Sequence, residues 1–314
     1  MRLNNLDLNL LVVLDALLTE RNVTRAGERI FRSQSATSNA LARLREYFDD
    51  DLLMPVAGKL ELTPRAELLH LAVRDVLLRI ETTVTALPEF DPMTTDRQFT
   101  MFVSDYSMAV LVPNMLALAA KCKSKARFRL KPQVAHPRLS LERGETDLLI
   151  IPDAFCSEEH PLERLFDEHY VCVVWKDSPL AQGEMTLERY MSALHITMRP
   201  NDEDLPILEK WFADSTGMNR QIAVSTHNFV AIPFMVVGTD LIGTVHSKLA
   251  RRMLPALPVV LKPVPLPGLG FSQAMQWHKY RTRDPGLVWL RSLLHEAAQE
   301  VDVGNELGMP EPDL

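Results

Sequence analysis

The chain has 314 residues, 46% of them hydrophobic and 24% charged, with a net charge of −7. This is longer than one ordinary domain and carries ample apolar material for a core, which excludes a disordered chain. No run approaches the ~18 consecutive apolar residues of a membrane span, and the negative balance excludes coating of nucleic acid by the whole surface, so any attraction to phosphates must come from a local patch.

Taken in chain order, the first apolar run, Leu8–Leu18, is interrupted by Asp15, preceded by Asp7 and followed by Glu20 and Arg21. No small-residue cleavage site follows it, so it reads as an amphipathic helix rather than a signal peptide, and the protein as cytoplasmic with no membrane partner. The spacing predicts a helix over Asp7–Thr19 with Leu10, Leu11, Leu14, Leu17 and Leu18 on one face. Cap signals at Asn22 and Thr24 open a second helix that ends near Phe31. Arg32-Ser33 then turns the chain into a third helix, Gln34–Phe48, with Ser33 as N-cap and Ala36, Leu41 and Leu44 as its inward stripe. Two short helices joined by a tight turn behind a supporting helix make a helix-turn-helix. Leu52–Met54 and Lys59–Leu62, around Ala57-Gly58, predict a hairpin wing. Thr63 caps and Pro64 begins a further helix, whose residues Ala66, Leu69, Val73, Val76, Ile80, Thr83 and Leu87 recur at three- and four-residue steps. That heptad seam, flanked by charges, predicts a homodimer through this helix. Pro88 ends it, and Phe90-Asp91-Pro92 forms a hinge.

From Arg97 strands and helices alternate. The strands predicted are Phe99–Val103, Phe128–Lys131, Leu148–Ile151, Tyr170–Trp175, His195–Met198, Ile222–Ser225, Leu241–Val245 and Val259–Val264. Helices are predicted at Met108–Lys121, Leu205–Ser215, Phe229–Val236, Ser247–Leu254 and Gly286–Glu300. Such alternation implies parallel sheets with helices on both faces, in two lobes, with ligand in the cleft at the carboxyl ends of strands.

Between Arg21 and Arg45 six arginines stand against the single acid Glu28, which concentrates positive charge on the helix-turn-helix of an acidic chain. The third helix opens with short polar side chains, so its backbone can approach base edges. Ser33, Gln34, Ser35, Thr37, Ser38 and Asn39 are the candidate readers, Gln34 suiting adenine bidentately. Arg32, Arg43 and Arg45 are candidate phosphate contacts, with Lys59 of the wing beside them.

The stretch LDLNLLVVLDALLTERNVTRAGERIFRSQSATSNALARLREYFDDDLL resembles the N-terminal domain of LysR-type transcriptional regulators. The closing QWHKYRTRDPGLVWLRSLL, the opening LDLNLLV and the Phe90-Asp91-Pro92 hinge resemble the branch holding the nodulation activators and the regulators of aromatic catabolism. One departure stands out: that branch usually has proline after the Ser-Gln of the reading helix, where this chain has Ser35. The resemblance implies a fold of α/β class, with an α-rich winged helix-turn-helix over residues 1–64 and a dimerisation linker helix over 65–90. An effector-binding domain over 91–314 follows, built of two Rossmann-like, periplasmic-binding-protein-like lobes (lobe I 97–176 and 266–302, lobe II 177–265). It further implies a homotetramer built as a dimer of dimers, double-stranded DNA and RNA polymerase as partners, and activation by a small inducer. Aromatic or phenolic compounds are the inducer class expected, flavonoids in the nodulation-type alternative.

By the same resemblance the inducer site maps to Ser104, Asp105 and Tyr106 in lobe I, to the segment of His227, Asn228 and Phe229 in lobe II, and to an apolar wall at Pro152 and Phe155. Acidic Asp105 favours a neutral phenol over a carboxylate. His136, His246 and Trp277 are weaker candidates. Cys122, Cys156 and Cys172 are too few and too irregular for a disulfide or zinc framework, and a Cys156/Cys172 redox switch is the competing regulatory reading. No phosphate loop, dinucleotide fingerprint or nucleophile elbow occurs, so neither an enzyme nor a cofactor is expected. Glu159-His160 and Glu168-His169 read as solvated loop residues rather than metal ligands.

Overall fold

The computed structural model describes residues 7–56, 58–83, 89–132, 137–199, 217, 219–266, 268 and 270–303. The chain divides into two compact units, residues 1–88 with 139–145, and residues 89–138 with 146–314.

In the first unit, helices α1 (Leu8–Glu20), α2 (Val23–Arg29) and α3 (Gln34–Phe48) precede the hairpin β1 (Leu53–Val56) and β2 (Lys59–Leu62), and helix α4 (Pro64–Thr83) follows. Asp7, Asn22 and Ser33 cap α1, α2 and α3 by accepting from backbone N–H groups of each first turn. Leu14, Leu17 and Leu44 are fully buried at the centre of the three helices, each burial stabilising by roughly 1.5–3 kcal/mol. At the wing's base Asp50 accepts from the Leu52 amide and the Thr63 hydroxyl, both at 2.7 Å. The Thr63 bond holds the Asp50 carboxyl below the usual range, while Thr63 itself caps α4 by accepting from the Ala66 amide.

The seam expected on α4 is divided between two tasks. Ala66 and Val73 are buried in the core formed with α1 to α3, and Arg74 donates to Asp15 of α1 at 2.6 Å. Among the described residues, the large apolar side chains of α4 that stay exposed are Leu68, Leu71 and Val76. Heptad spacing alone did not separate the face that packs on its own domain from the face left open.

The second unit begins with β3 (Gln98–Val103), α5 (Asp105–Val110), α6 (Val112–Lys121) and β4 (Arg127–Lys131), and resumes at β5 (Leu148–Pro152) after α7 (Pro137–Glu142), most of which belongs to the first unit. It continues through β6 (Leu162–Trp175), α8 (Leu187–Ser192), β7 (Leu194–Met198), β8 (Gln221–Thr226), α9 (Ile232–Met235), β9 (Ile242–His246), α10 (Ser247–Met253), β10 (Val259–Pro263), β11 (Gly270–Gln276) and α11 (Pro285–Val303). The single helix expected over Met108–Lys121 is two, because Pro113 has no N–H to donate and sits in the first turn of α6. The helix expected over Leu205–Ser215 and the candidate His136 lie outside the described residues.

Each lobe has a parallel core, β4–β3–β5 in one and β8–β7–β9 in the other, but the sheets are mixed rather than parallel. Strand β11, absent from the sequence reading, pairs antiparallel with both β5 and β6. Strand β6 begins at Leu162, well before the expected Tyr170, and runs through both lobes. Up to His169 it pairs with β11; from Tyr170 onward it pairs with β9, and from Val171 with β10. Lobe I packs Phe99, Met101, Met115, Trp277 and Leu290 into one core, while lobe II packs Val173, Ile196, Ile232 and Val245.

Candidate functional site

Among the described residues, two arrangements hold the side chains singled out by the sequence. The first is the exposed face of α3. Gln34, Ser35, Ser38, Asn39 and Arg43 are all exposed, as is Arg32 just ahead of the helix. Ser33 is exposed too, but its hydroxyl caps the helix by accepting from the Ala36 amide at 3.2 Å and meets the Ser35 hydroxyl at 3.1 Å. Thr37 is buried, and its hydroxyl donates back to the Ser33 carbonyl at 3.0 Å. It therefore cannot reach a base edge, contrary to the sequence reading. Ala36, placed inward by that reading, is exposed, and Thr37, Ala40, Leu41, Leu44 and Phe48 form the buried stripe.

Gly27 allows α2 and α3 to meet this closely. A Cβ built there would lie 2.8 Å from the Arg32 carbonyl oxygen and 2.9 Å from the Thr37 hydroxyl oxygen.

The six arginines around the motif are not equivalent. Arg21 pairs with Glu61 of the wing, while Arg25 and Arg29 pair with Glu20. Arg45 donates to the carbonyls of Asp51 and Leu53, tying α3 to β1. It is a positioning residue, not the phosphate contact expected. Arg32 and Arg43, both exposed, make no ion pair with any described residue.

The second arrangement lies where the lobes meet, at the point where β6 changes sheets. Tyr106, in the first turn of α5, is buried, and its hydroxyl donates to Glu168 at 2.5 Å. Glu168 also accepts from the Ser247 hydroxyl at 2.7 Å, from the His169 amide at 2.9 Å and from the Lys248 amide. The residue is 3% exposed on a strand, so the solvated-loop reading of Glu168 does not hold. Adjacent charged pairs, Glu163-Arg164 and Asp167-Glu168, break the apolar alternation and hid that strand. Asp105 spans the same junction, accepting from the Val230 amide at 2.8 Å, and Arg252 donates to the Val110 carbonyl.

Above this carboxylate stands His246, the last residue of β9. Tyr106 stacks on it at 3.9 Å between ring centroids, and Phe229 meets it edge-on at 4.3 Å. Tyr170 and Phe271 close the ring cluster at 4.9 and 5.5 Å. Burial pushes the His246 imidazole down to a pKa of about 3, which keeps it neutral.

The remaining candidates are dispersed. Ser104 caps α5 through the Ser107 amide, and Asn228 accepts from the Ala231 amide. His227 and Phe155 are exposed, and Pro152 ends β5 opposite Gln273. Trp277 is a core residue of lobe I, donating to Thr282 with the Arg291 guanidinium over its ring. Sequence reasoning thus placed Tyr106 and Phe229 in this cluster and ranked His246 low. It missed Glu168, Tyr170, Ser247 and Phe271. The signal available was the run of Glu168, His169 and Tyr170 inside a strand.

Cys156 and Cys172 are both buried free thiols, and burial pushes them up to about 11 and about 12. Such thiols are poor nucleophiles at neutral pH, which disfavours the redox-switch reading. Among the described residues no helix is long and apolar enough to cross a membrane.

Residues 8–67 match the family model of bacterial regulatory helix-turn-helix proteins of the lysR family, and residues 94–299 match the LysR substrate binding domain. Nodulation protein D 1 of Rhizobium meliloti is 40% identical over 302 residues, covering 96% of this chain and 98% of that protein. The solved structure of a probable transcriptional regulator, PA0477, of Pseudomonas aeruginosa superposes with a TM-score of 0.63 at 29% identity, covering 93% of this chain and 97% of that one. Full-length OxyR of the same organism gives 0.74 at 17% identity, covering 98% and 99%, and that likeness is one of fold.

Proposed function

The chain belongs to the LysR family of transcriptional regulators, a DNA-binding regulator with an effector-binding domain, and from that premise we propose that it is a cytoplasmic, ligand-controlled activator without catalytic activity of its own. The observation that carries this is the free polar face of α3, with Arg32 and Arg43 unengaged beside it. Gln34, Ser35, Ser38 and Asn39 read base edges, and the two arginines bind phosphates on either side. Ser35, where the branch usually has proline, keeps a backbone N–H and adds a hydroxyl, so this chain's operator preference differs from that of its relatives.

In this reading residues 1–64 bind the operator, residues 65–90 pair two chains, and residues 91–314 hold the inducer between lobes, two dimers joining as a tetramer that contacts RNA polymerase. The open face of α4, Leu68, Leu71 and Val76, supports a chain-to-chain seam that is partly distinct from the one spacing suggested. Leu68→Asp with Leu71→Asp is expected to release monomers and weaken operator binding at least tenfold, since one reading helix then acts alone. Light scattering of the purified variant checks it; an unchanged mass places the seam elsewhere.

The inducer site is the Tyr106, Phe229 and His246 cluster, and its rings fit a small aromatic compound. Similarity to nodulation protein D over nearly the whole chain favours a nodulation-type regulator, with flavonoid-like inducers, as a second reading beside regulation of aromatic catabolism. A gel-shift assay on the DNA upstream of its own gene tests the function. Retention that responds to an aromatic inducer supports it, and no retention with or without candidate inducers contradicts it.

A further inference from the structure

The turn between α2 and α3 holds a side chain that the fold does not use. Phe31 is 97% exposed, more than any other large apolar side chain among the described residues. Its backbone lies in the left-handed region, at φ 55°, which glycine or asparagine adopts readily and phenylalanine only at a cost. Leu52 shares that backbone conformation at φ 59°, but Leu52 is fully buried, so core packing offsets the strain. Phe31 has no such offset. Ile30 before it packs against the core of the three helices, while the Phe31 ring stands in solvent. The turn is closed by backbone bonds alone: the Phe31 amide donates to the Glu28 carbonyl at 3.3 Å and the Arg32 amide to the Gly27 carbonyl at 2.9 Å. Neither needs a side chain at position 31. Local strain retained without a gain inside the fold points to a contact outside the chain.

We propose that Phe31 reads the 5-methyl group of a thymine in the operator half-site. This rests on the reading of the exposed face of α3 as the DNA interface. Phe31 stands two residues ahead of Ser33, the N-cap of α3, and residues 31–36 are exposed as one continuous stretch. A helix that enters the major groove by its N-terminus brings the turn ahead of it to the same groove. The apolar group that base pairs present there is the thymine methyl. Apolar wedges between base steps belong instead to proteins that work from the minor groove. A phenyl ring has no hydrogen bond to offer, so position 31 adds a discrimination that Gln34, Ser35, Ser38 and Asn39 do not make.

The test uses the full chain and Phe31→Asn, with a duplex from upstream of the gene made either with thymine or with deoxyuridine throughout. Deoxyuridine pairs as thymine does and lacks only the methyl group. Asparagine suits the left-handed backbone, so the first thermal transition of Phe31→Asn is expected to hold or rise in calorimetry. By fluorescence anisotropy the unsubstituted chain should prefer the thymine duplex. Phe31→Asn should bind that duplex about fourfold more weakly, the worth of roughly one buried methyl group, and its preference for thymine should shrink by the same factor. The salt slope should not change, because no phosphate contact is lost. A thymine preference equal in the two proteins, a changed salt slope, or a first transition lowered by several degrees overturns the proposal. A scrambled duplex separates the two readings. Upstream DNA still preferred by the unsubstituted chain, without a methyl effect at position 31, removes only the role of Phe31. No preference for the upstream duplex removes the reading of α3 and the proposal with it.

Discussion

Gly27→Ala is expected to abolish operator binding while leaving the second unit folded. The added methyl would stand 2.8 Å from the Arg32 carbonyl oxygen and 2.9 Å from the Thr37 hydroxyl oxygen, closer than real side-chain carbons come. The first of these neighbours is backbone at the turn itself, where the Arg32 amide also donates to the Gly27 carbonyl at 2.9 Å. Relief therefore requires α2 and α3 to move apart. A shift of that kind re-aims Gln34, Ser35, Ser38 and Asn39 together, and overpacking of this sort costs about 1–3 kcal/mol. Loss of more than tenfold in affinity, with a lowered first thermal transition and an unchanged second one, is the expected outcome of anisotropy and calorimetry. Affinity within twofold of the unsubstituted chain would show that α3 is not positioned through Gly27.

Glu168→Leu should be the most damaging single change in the second unit. It leaves the Tyr106 and Ser247 hydroxyls and the His169 and Lys248 amides without their acceptor at a buried site. Each stranded buried donor costs about 1–3 kcal/mol, and partial relaxation brings the sum to about 3 kcal/mol or more. That corresponds to a fall of roughly 6–12 °C in the second transition, with loss of the inducer response. Glu168→Gln retains one acceptor oxygen and is expected to fall between. A Glu168→Leu protein as stable as its parent would mean that this carboxylate does not hold the lobes together.

The residues explain how far the sequence could be read. The three helices, the wing and the caps at Asn22, Ser33 and Thr63 were legible because each depends on local chemistry: a hydroxyl or carboxamide before an apolar stripe, or a glycine at a hairpin tip. Thr37 was not, since a polar type at a helix start suggests exposure, while helical geometry turns it inward and lets it bond its own backbone. Arg45 was misread for a related reason, because charge type does not reveal that its donors are already taken by the wing. The ring cluster between the lobes was only partly visible. Tyr106 and Phe229 sit at strand-to-helix junctions that alternation marks, whereas Glu168, Tyr170 and Phe271 come together only because β6 crosses between lobes and β11 pairs beside it. That crossing is a long-range pairing, and charged residues along Leu162–His169 masked the strand that makes it.

The central claim, that the free face of α3 reads DNA, is tested most directly by fluorescence anisotropy across a salt series. A duplex from upstream of the gene is compared with a scrambled duplex, for the unsubstituted chain and for Arg43→Ala. Tighter binding to the upstream duplex is predicted, with Arg43→Ala weakening both duplexes and lowering the salt slope by about one. Equal affinity for the two duplexes, or a slope unchanged by the substitution, would contradict it.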